Sequence, residues 1–280
     1  MSNPSLFGSG LRGAHPFRPF LIATLFFIPL TVMKAQEHDD DHDHDHLHFS
    51  HPLVTESPSP DTKLRLDYIG TRTSDPTGVR ENTFRLEGEY AFNHSVSLAI
   101  VTPFISRTAP AAERASGLGN VELSLKAASL AFGERGLLLG GGLSAALPTG
   151  SDAKSIGSAH LIELAPFLDA GYKRNSLELV GFDILSSTFR RRAGEAAERS
   201  LTFDFSTLYR IQSRLEGLIE VTTSRALISA ESGSQQTFVA PGLKMYPFTN
   251  RQLMFGASWE LGTGVVHDTH ALLVSGFYHF

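Results

Sequence analysis

The 280-residue sequence predicts an all-β fold: a transmembrane antiparallel up-and-down β-barrel of about twelve strands, behind a disordered His/Asp-rich N-terminal segment. Three observations carry this. From residue 61 onward, apolar residues recur at every second position, in segments of about 10 residues, the length of a tilted membrane strand. Short and long connections alternate along the chain. The chain also ends on an aromatic strand with no polar tail, and a strand edge left bare in water invites pairing with other chains.

The first 35 residues read as a cleaved secretory signal. Arg12 and Arg18 precede an apolar run over 20–33 that contains Pro29, and Lys34-Ala35 follows. That run is shorter than the ~20 residues a spanning helix needs. Residues 36–60 form a His/Asp-rich segment and a linker, with three prolines over 52–60 and no apolar period. Residues 61–280 form the barrel.

The strand candidates follow in order. The first, 63–69, sets Leu64, Leu66 and Tyr68 against Lys63, Arg65 and Asp67; the second, 83–92, sets Phe84, Leu86 and Tyr90 against Arg85, Glu87 and Glu89. The third, 95–105, shows Val96, Leu98 and Ile100 on one face. The fourth, 118–131, opposes Val121, Leu123 and Leu125 to Glu122 and Lys126. The fifth, 136–147, is apolar on both faces, so its phase is open. The sixth, 160–172, opposes Leu164 and Leu168 to Glu163 and Asp169, and its Pro166 suggests a bulge. In the seventh, 176–189, Asp183 breaks either phase. The eighth, 201–211, opposes Phe203, Phe205 and Tyr209 to Asp204 and Arg210, and the ninth, 214–227, Ile219 and Val221 to Glu216 and Glu220. The tenth, 236–248, carries Val239, Leu243 and Met245. The eleventh, 253–261, opposes Phe255, Trp259 and Leu261 to Ser258 and Glu260. The last ends Leu272, Val274, Gly276, Tyr278, Phe280.

Connections after even-numbered strands are short (93–94, 133–135, 173–175, 212–213, 249–251), and those after the odd-numbered strands from the first to the ninth are longer. Sorting of loops by side belongs to membrane barrels, whereas a soluble sandwich has no reason for it. A mean hydropathy of −0.05 fits a barrel with a polar lumen rather than a helical membrane protein. The formal charge of −5 gives no sign of a nucleic-acid partner.

Two groups of residues carry chemistry. The run His38, Asp39, Asp41, His42, Asp43, His44, Asp45, His46, His48 and His51 interleaves imidazole with carboxylate and holds no Lys or Arg. Both donors suit divalent zinc, nickel, copper or cobalt, so the segment is expected to bind a divalent metal; no other cofactor is required. The polar strand faces place Arg65, Asp67, Arg85, Glu87, Glu89, Glu122, Lys126, Glu163, Asp204, Arg210, Glu216, Glu220 and Glu260 along the lumen, with mixed signs and an acidic excess. Trp259 and the tyrosines are expected in interfacial girdles. Arg190-Arg191-Arg192 falls in a predicted outer loop suited to lipopolysaccharide phosphates.

Enzymatic chemistry finds no support. There is no cysteine, no G-x-S-x-G, no H-E-x-x-H and no phosphate-binding loop. His94-Ser95 sits at a short turn, and His160, His267 and His270 show no informative serine spacing.

The terminal strand resembles the C-terminal signal of bacterial outer-membrane barrels, which implies outer-membrane localisation and delivery by the barrel assembly machinery. Gly117-Leu118-Gly119-Asn120-Val121-Glu122 and the later Gly140-Gly141-Gly142-Leu143-Ser144-Ala145-Ala146-Leu147-Pro148-Thr149-Gly150 together resemble the outer-membrane transporter family named for the meta-cleavage pathway of phenol degradation. Asn120 stands where that family usually has Asp. The resemblance implies passive passage of small, often hydrophobic or aromatic, solutes and transfers no catalytic residue. The alternative reading is a metal-binding or sensing outer-membrane protein whose barrel is a closed anchor.

Overall fold

The computed structural model of the protein describes residues 47–74, 78–109, 114–132, 135–190, 197–229, 233–249 and 251–280, except the side chains of Ser129 and Arg190. Expectations for residues 1–46, and for Arg190-Arg191-Arg192 as a phosphate contact, lie outside them.

Among the described residues, thirteen strands follow in chain order: β1 Lys63–Thr73, β2 Arg80–Asn93, β3 Val96–Thr108, β4 Ala115–Leu118, β5 Glu122–Phe132, β6 Leu137–Ala146, β7 Ile162–Arg174, β8 Leu177–Arg190, β9 Arg199–Gln212, β10 Leu215–Ile228, β11 Gln235–Met245, β12 Leu253–Thr263 and β13 Thr269–His279. Every pairing is antiparallel, and β1 bonds to both β2 and β13, so the sheet closes on itself. The closing seam runs from Lys63 opposite His279 to Thr73 opposite Thr269. Closure leaves no open edge, the condition for crossing hydrocarbon. Both β4 and β5 pair with β3, so thirteen segments make twelve passes.

The period of two sorts the side chains. Leu66, Phe84, Leu125, Leu168, Ile219 and Phe255 stand exposed on the outside, while Arg65, Asp67, Glu87, Lys126, Glu216 and Lys244 are buried inside. The structure resolves the phases that the sequence leaves open. In β6, Leu138 and Ser144 face inward. In β8, Glu178, Val180 and Phe182 face inward, which turns Asp183 outward between Leu168 and Phe203. The bulge suggested by Pro166 is absent. Leu164 opposes Ser187 and Phe167 opposes Ile184 in one register, so the proline omits a ladder contact without shifting the strand.

Between β4 and β5 the chain breaks at 119–121, and the two glycine motifs meet there. Thr149 Oγ1 accepts the Val121 N–H at 2.8 Å and donates to the Gly119 carbonyl at 2.9 Å. Asn120 Oδ1 accepts the Ser158 N–H at 2.7 Å. The motifs thus stitch the long 147–161 connection to the interrupted strand.

Leu168 lies mid-strand on β7 and is 67% exposed. Replacing it with Arg places a charge against lipid tails, at a cost of about 2–4 kcal/mol. Denaturant titration of the variant refolded into vesicles should show a loss of that size, and an unchanged midpoint would contradict the outward placement.

Candidate functional site in the barrel lumen

The inward faces carry charge, and most of it is paired in place. Lys63 Nζ sits 3.0 Å from Glu87 and 2.8 Å from Glu89, Arg65 Nε lies 2.8 Å from Asp67, and Arg85 reaches the same Asp67 at 2.6 Å. Lys126 approaches Glu89 at 3.6 Å. Around the lumen, Glu216 meets Lys244 at 3.0 Å, Arg251 at 3.3 Å and Arg210 at 3.7 Å, and Lys173 meets Glu178 at 2.9 Å. Glu122, Glu163, Asp204 and Glu260 occupy the same inward faces, half-buried. Asp169, almost fully buried on β7, has no hydrogen-bond partner for either carboxylate oxygen among the described residues.

The lumen is not empty. Residues 47–60, the end of the His/Asp-rich segment and the linker read over 52–60, run inside the barrel, with Phe49, Leu53, Thr55 and Ser57 almost fully buried. The barrel holds this segment largely by its backbone. Glu220 accepts the N–H groups of Leu53, Val54 and Thr55 at 2.9–3.2 Å, and the Ser206 hydroxyl at 2.7 Å. Glu178 accepts the Ser50 N–H at 2.7 Å. Cations take the carbonyls: Lys173 donates to His48 at 2.8 Å, Lys244 to His51 at 3.0 Å, Lys126 to Ser57 at 2.8 Å, and Arg65 to Leu53.

Two apolar side chains complete the fit. Phe49 and Leu53 pack among Leu138, Val180, Leu208, Leu218, Met254 and Phe277, an apolar layer inside an otherwise charged lumen. Each such burial stabilises by about 1.5–3 kcal/mol. Two inward glycines make the room. A Cβ on Gly171 would lie 2.6 Å from the Phe49 ring, and one on Gly256 would lie 2.4 Å from a Leu53 methyl.

At the short-turn end of the barrel, three histidines converge on one carboxylate. His48 Nε2 lies 2.8 Å from Asp61 Oδ2, His51 Nε2 lies 2.5 Å from it and His279 Nδ1 lies 3.6 Å away. Burial alone would raise the Asp61 pKa, but hydrogen bonds from His279, His48 and His51 outweigh it and hold the carboxyl far below the usual range. A cavity of about 260 Å³ opens beside the cluster, lined also by Lys173, Arg210 and Tyr246. Further up the lumen a second cavity, about 340 Å³, is lined by Arg85, Glu122, Lys126, Asp204 and the facing rings of Phe167 and Phe182, whose centroids are 5.0 Å apart.

Of the ten predicted metal ligands, the structure describes His48 and His51, and it brings them to two residues the sequence reading did not select, Asp61 and His279. His279 sits at the end of the terminal strand, where aromatic alternation draws attention away from it. Tyr246 is buried in the lumen with its hydroxyl donating to Glu216 at 3.0 Å, so it belongs to no girdle. By contrast Trp259, Tyr90, Tyr209 and Tyr278 are exposed.

His160 does have a serine beside it. Ser158 Oγ lies 3.2 Å from His160 Nδ1, and Asp152 Oδ2 lies 2.9 Å from the same nitrogen. A nucleophilic relay needs Ser and Asp on opposite ring nitrogens. Here both meet one nitrogen, and Ser158 Oγ also accepts the N–H groups of His160 and Leu161, an arrangement that staples the 147–161 connection.

A closed barrel, apolar outside and charged within, is a membrane-spanning barrel of the outer-membrane type. Its fold is similar to the COG4313 outer membrane channel from Pseudomonas putida F1, with a TM-score of 0.62 and 15% identity over 87% of this chain and all of that one. The NanC porin aligns with a TM-score of 0.53 and 11% identity over 77% of this chain and all of that one. The translocator domain of the autotransporter NalP from Neisseria meningitidis gives 0.52 and 11% over 81% and 91%. No family model and no curated protein matches the chain.

The protein contains no cysteine, so Ser57→Cys supplies a unique thiol reporter in the lumen segment. Glu220→Ala removes an acceptor shared by three backbone N–H groups, each charge-assisted bond contributing about 1.5–3 kcal/mol. In that background, labelling of the introduced thiol by a water-soluble maleimide should accelerate by about tenfold or more. Gly171→Val should act likewise by filling the Phe49 site. Unchanged labelling in both would mean that the segment is not held as described.

Proposed function

We propose that the protein is an outer-membrane channel for passive passage of small solutes, in which residues 47–60 set how open the lumen is. The observation that carries this reading is the lumen itself: twelve passes around paired charges, with one backbone segment filling the centre and a cavity left beside it. That segment is bound through groups that can exchange with water, so it is built to be displaced more readily than a covalent or fully apolar plug.

The cavity favours a particular chemistry. Phe167 and Phe182 present ring surface, while Glu122 and Asp204 present carboxylate without a salt-bridge partner among the described residues. An apolar ring carrying a hydrogen-bond donor or positive charge suits this lining better than an anion does. This agrees with the small aromatic solutes that the motif resemblance implies. The N-terminal His/Asp run would hold divalent metal on the short-turn side, which in outer-membrane barrels faces the periplasm. Lipopolysaccharide around the barrel and assembly through the terminal strand complete the proposed setting.

Planar-bilayer recording tests this reading. Low conductance is expected for the intact protein, with a clear rise when residues 47–60 are deleted and a reversal potential in a salt gradient that favours cations. The buried lumen segment also fits a closed barrel serving as an anchor. Absence of conductance in both forms would select the anchor, and anion preference would refute the assigned lining.

A further inference from the structure

His48 and His51 belong to the lumen segment, Asp61 follows it just before β1, and His279 ends β13, so two stretches far apart in sequence place four donors at one point. We propose that these four side chains form a binding site for one divalent transition metal of the zinc class, which fastens the lumen segment to the seam of the barrel. Three imidazoles with one carboxylate suit zinc or its neighbours rather than calcium or magnesium, which take oxygen ligands.

The spacing is close to what an ion requires. Zinc bonds of about 2.0–2.2 Å in a tetrahedron put ligand atoms roughly 3.3 Å apart. Here the ligand atoms of His48, His51 and Asp61 lie within 4.8 Å of one another, and the three nitrogens stand 2.5–3.6 Å from Asp61 Oδ2. An ion among them would draw these atoms to that spacing.

The supports around the cluster fix its ligands. The backbone carbonyls of His48 and His51 are held by Lys173 and Lys244. The His51 ring stacks on Phe277 of β13 with centroids 5.8 Å apart. His48 is about half exposed beside the 260 Å³ cavity, which gives an ion a way in.

Lys63 must adjust along with the imidazole tautomers. Its Nζ lies 3.2 Å from His51 Nδ1, while two carboxylates, Glu87 and Glu89, already hold it. In the metal-free cluster His51 turns an N–H at Nε2 toward Asp61. On binding, each imidazole gives up the proton on the nitrogen facing Asp61, to its other ring nitrogen or to water; in His51 that proton goes to Nδ1, Nε2 takes the ion, and the third Lys63 hydrogen turns away. No charge has to leave the pair of glutamates.

Binding by the His/Asp run alone and binding at this built site predict different dependence on His279, which lies over two hundred residues downstream. The test uses the full mature chain with His38, His42, His44 and His46 changed to Ser, refolded in detergent. Cobalt titration should give one equivalent per chain with the visible spectrum of a four-coordinate nitrogen-rich site, and zinc should displace it. His279→Gln and, separately, His48→Ala should each weaken binding at least tenfold, with heat-modifiable gel mobility showing that both variants fold. Stoichiometric binding unaffected by both substitutions, or no saturable binding before them, would overturn the site.

The consequence for flow rests on the channel reading. Zinc should lower conductance in this four-serine form and leave it unchanged in His279→Gln. If binding is lost on substitution but zinc does not alter conductance, the site stands and its control of flow is refuted.

Discussion

The seam between β1 and β13 is the constraint on which the rest depends. In hydrocarbon a backbone N–H or C=O has no water to turn to, so a sheet must close or fail. Eleven residue pairs close this one, from Lys63 opposite His279 to Thr73 opposite Thr269. Closure converts a simple alternation into an inside and an outside. Leu64, Leu66 and Tyr68 then face outward, and Lys63, Arg65 and Asp67 are carried inside whether or not the interior suits them.

Charges forced inward must be satisfied there, because a buried ion without a partner is costly. Most are satisfied by pairing across neighbouring strands, as Lys63 is by Glu87 and Glu89. Glu220 is different. No cation contacts it within salt-bridge distance among the described residues, and its carboxylate is instead closed by three consecutive backbone N–H groups and the Ser206 hydroxyl, which in turn contacts the Thr55 hydroxyl. Lys126 and Lys244 likewise spend hydrogens on carbonyls of the same segment. Barrel and segment therefore complete each other: displacing residues 47–60 returns these groups to water, which must enter the lumen to receive them.

That division explains what was legible in the sequence. Strand number, strand faces and loop sorting follow from side-chain alternation, and alternation is written directly in residues such as Leu201, Phe203 and Phe205 against Thr202 and Asp204. The lumen segment is bound by its backbone, and backbone groups are the same for every residue type but proline. Pro52, Pro58 and Pro60 with Ser57 and Ser59 therefore read as a linker even where they are buried. The available signals were indirect: Phe49 and Leu53 four apart in a polar stretch, and glycines at inward positions 171 and 256. Composition marks His51 as a candidate metal ligand, whereas Asp61 and His279 come beside it only once the seam brings both ends of the barrel together. Asp183 shows the opposite limit. Its outward position follows from its neighbours in register, not from its own polarity.

The two rims of the barrel are fastened by different means. On the long-loop side, Thr149 and Asn120 bind the 147–161 connection to the break between β4 and β5 through short hydrogen bonds to backbone. On the short-turn side, the lumen segment enters past His51, where the seam and the segment share Asp61. A closed sheet with every strand bonded on both sides for most of its length has little freedom to widen, since opening any seam would strip ladder bonds in lipid. The 47–60 segment has no such restriction: its partners are side chains that water can replace. In the channel reading, passage depends on moving that segment within a barrel of fixed width, and the groups that hold it, Glu220 at the centre and the histidine cluster at the mouth, are where control of flow would act.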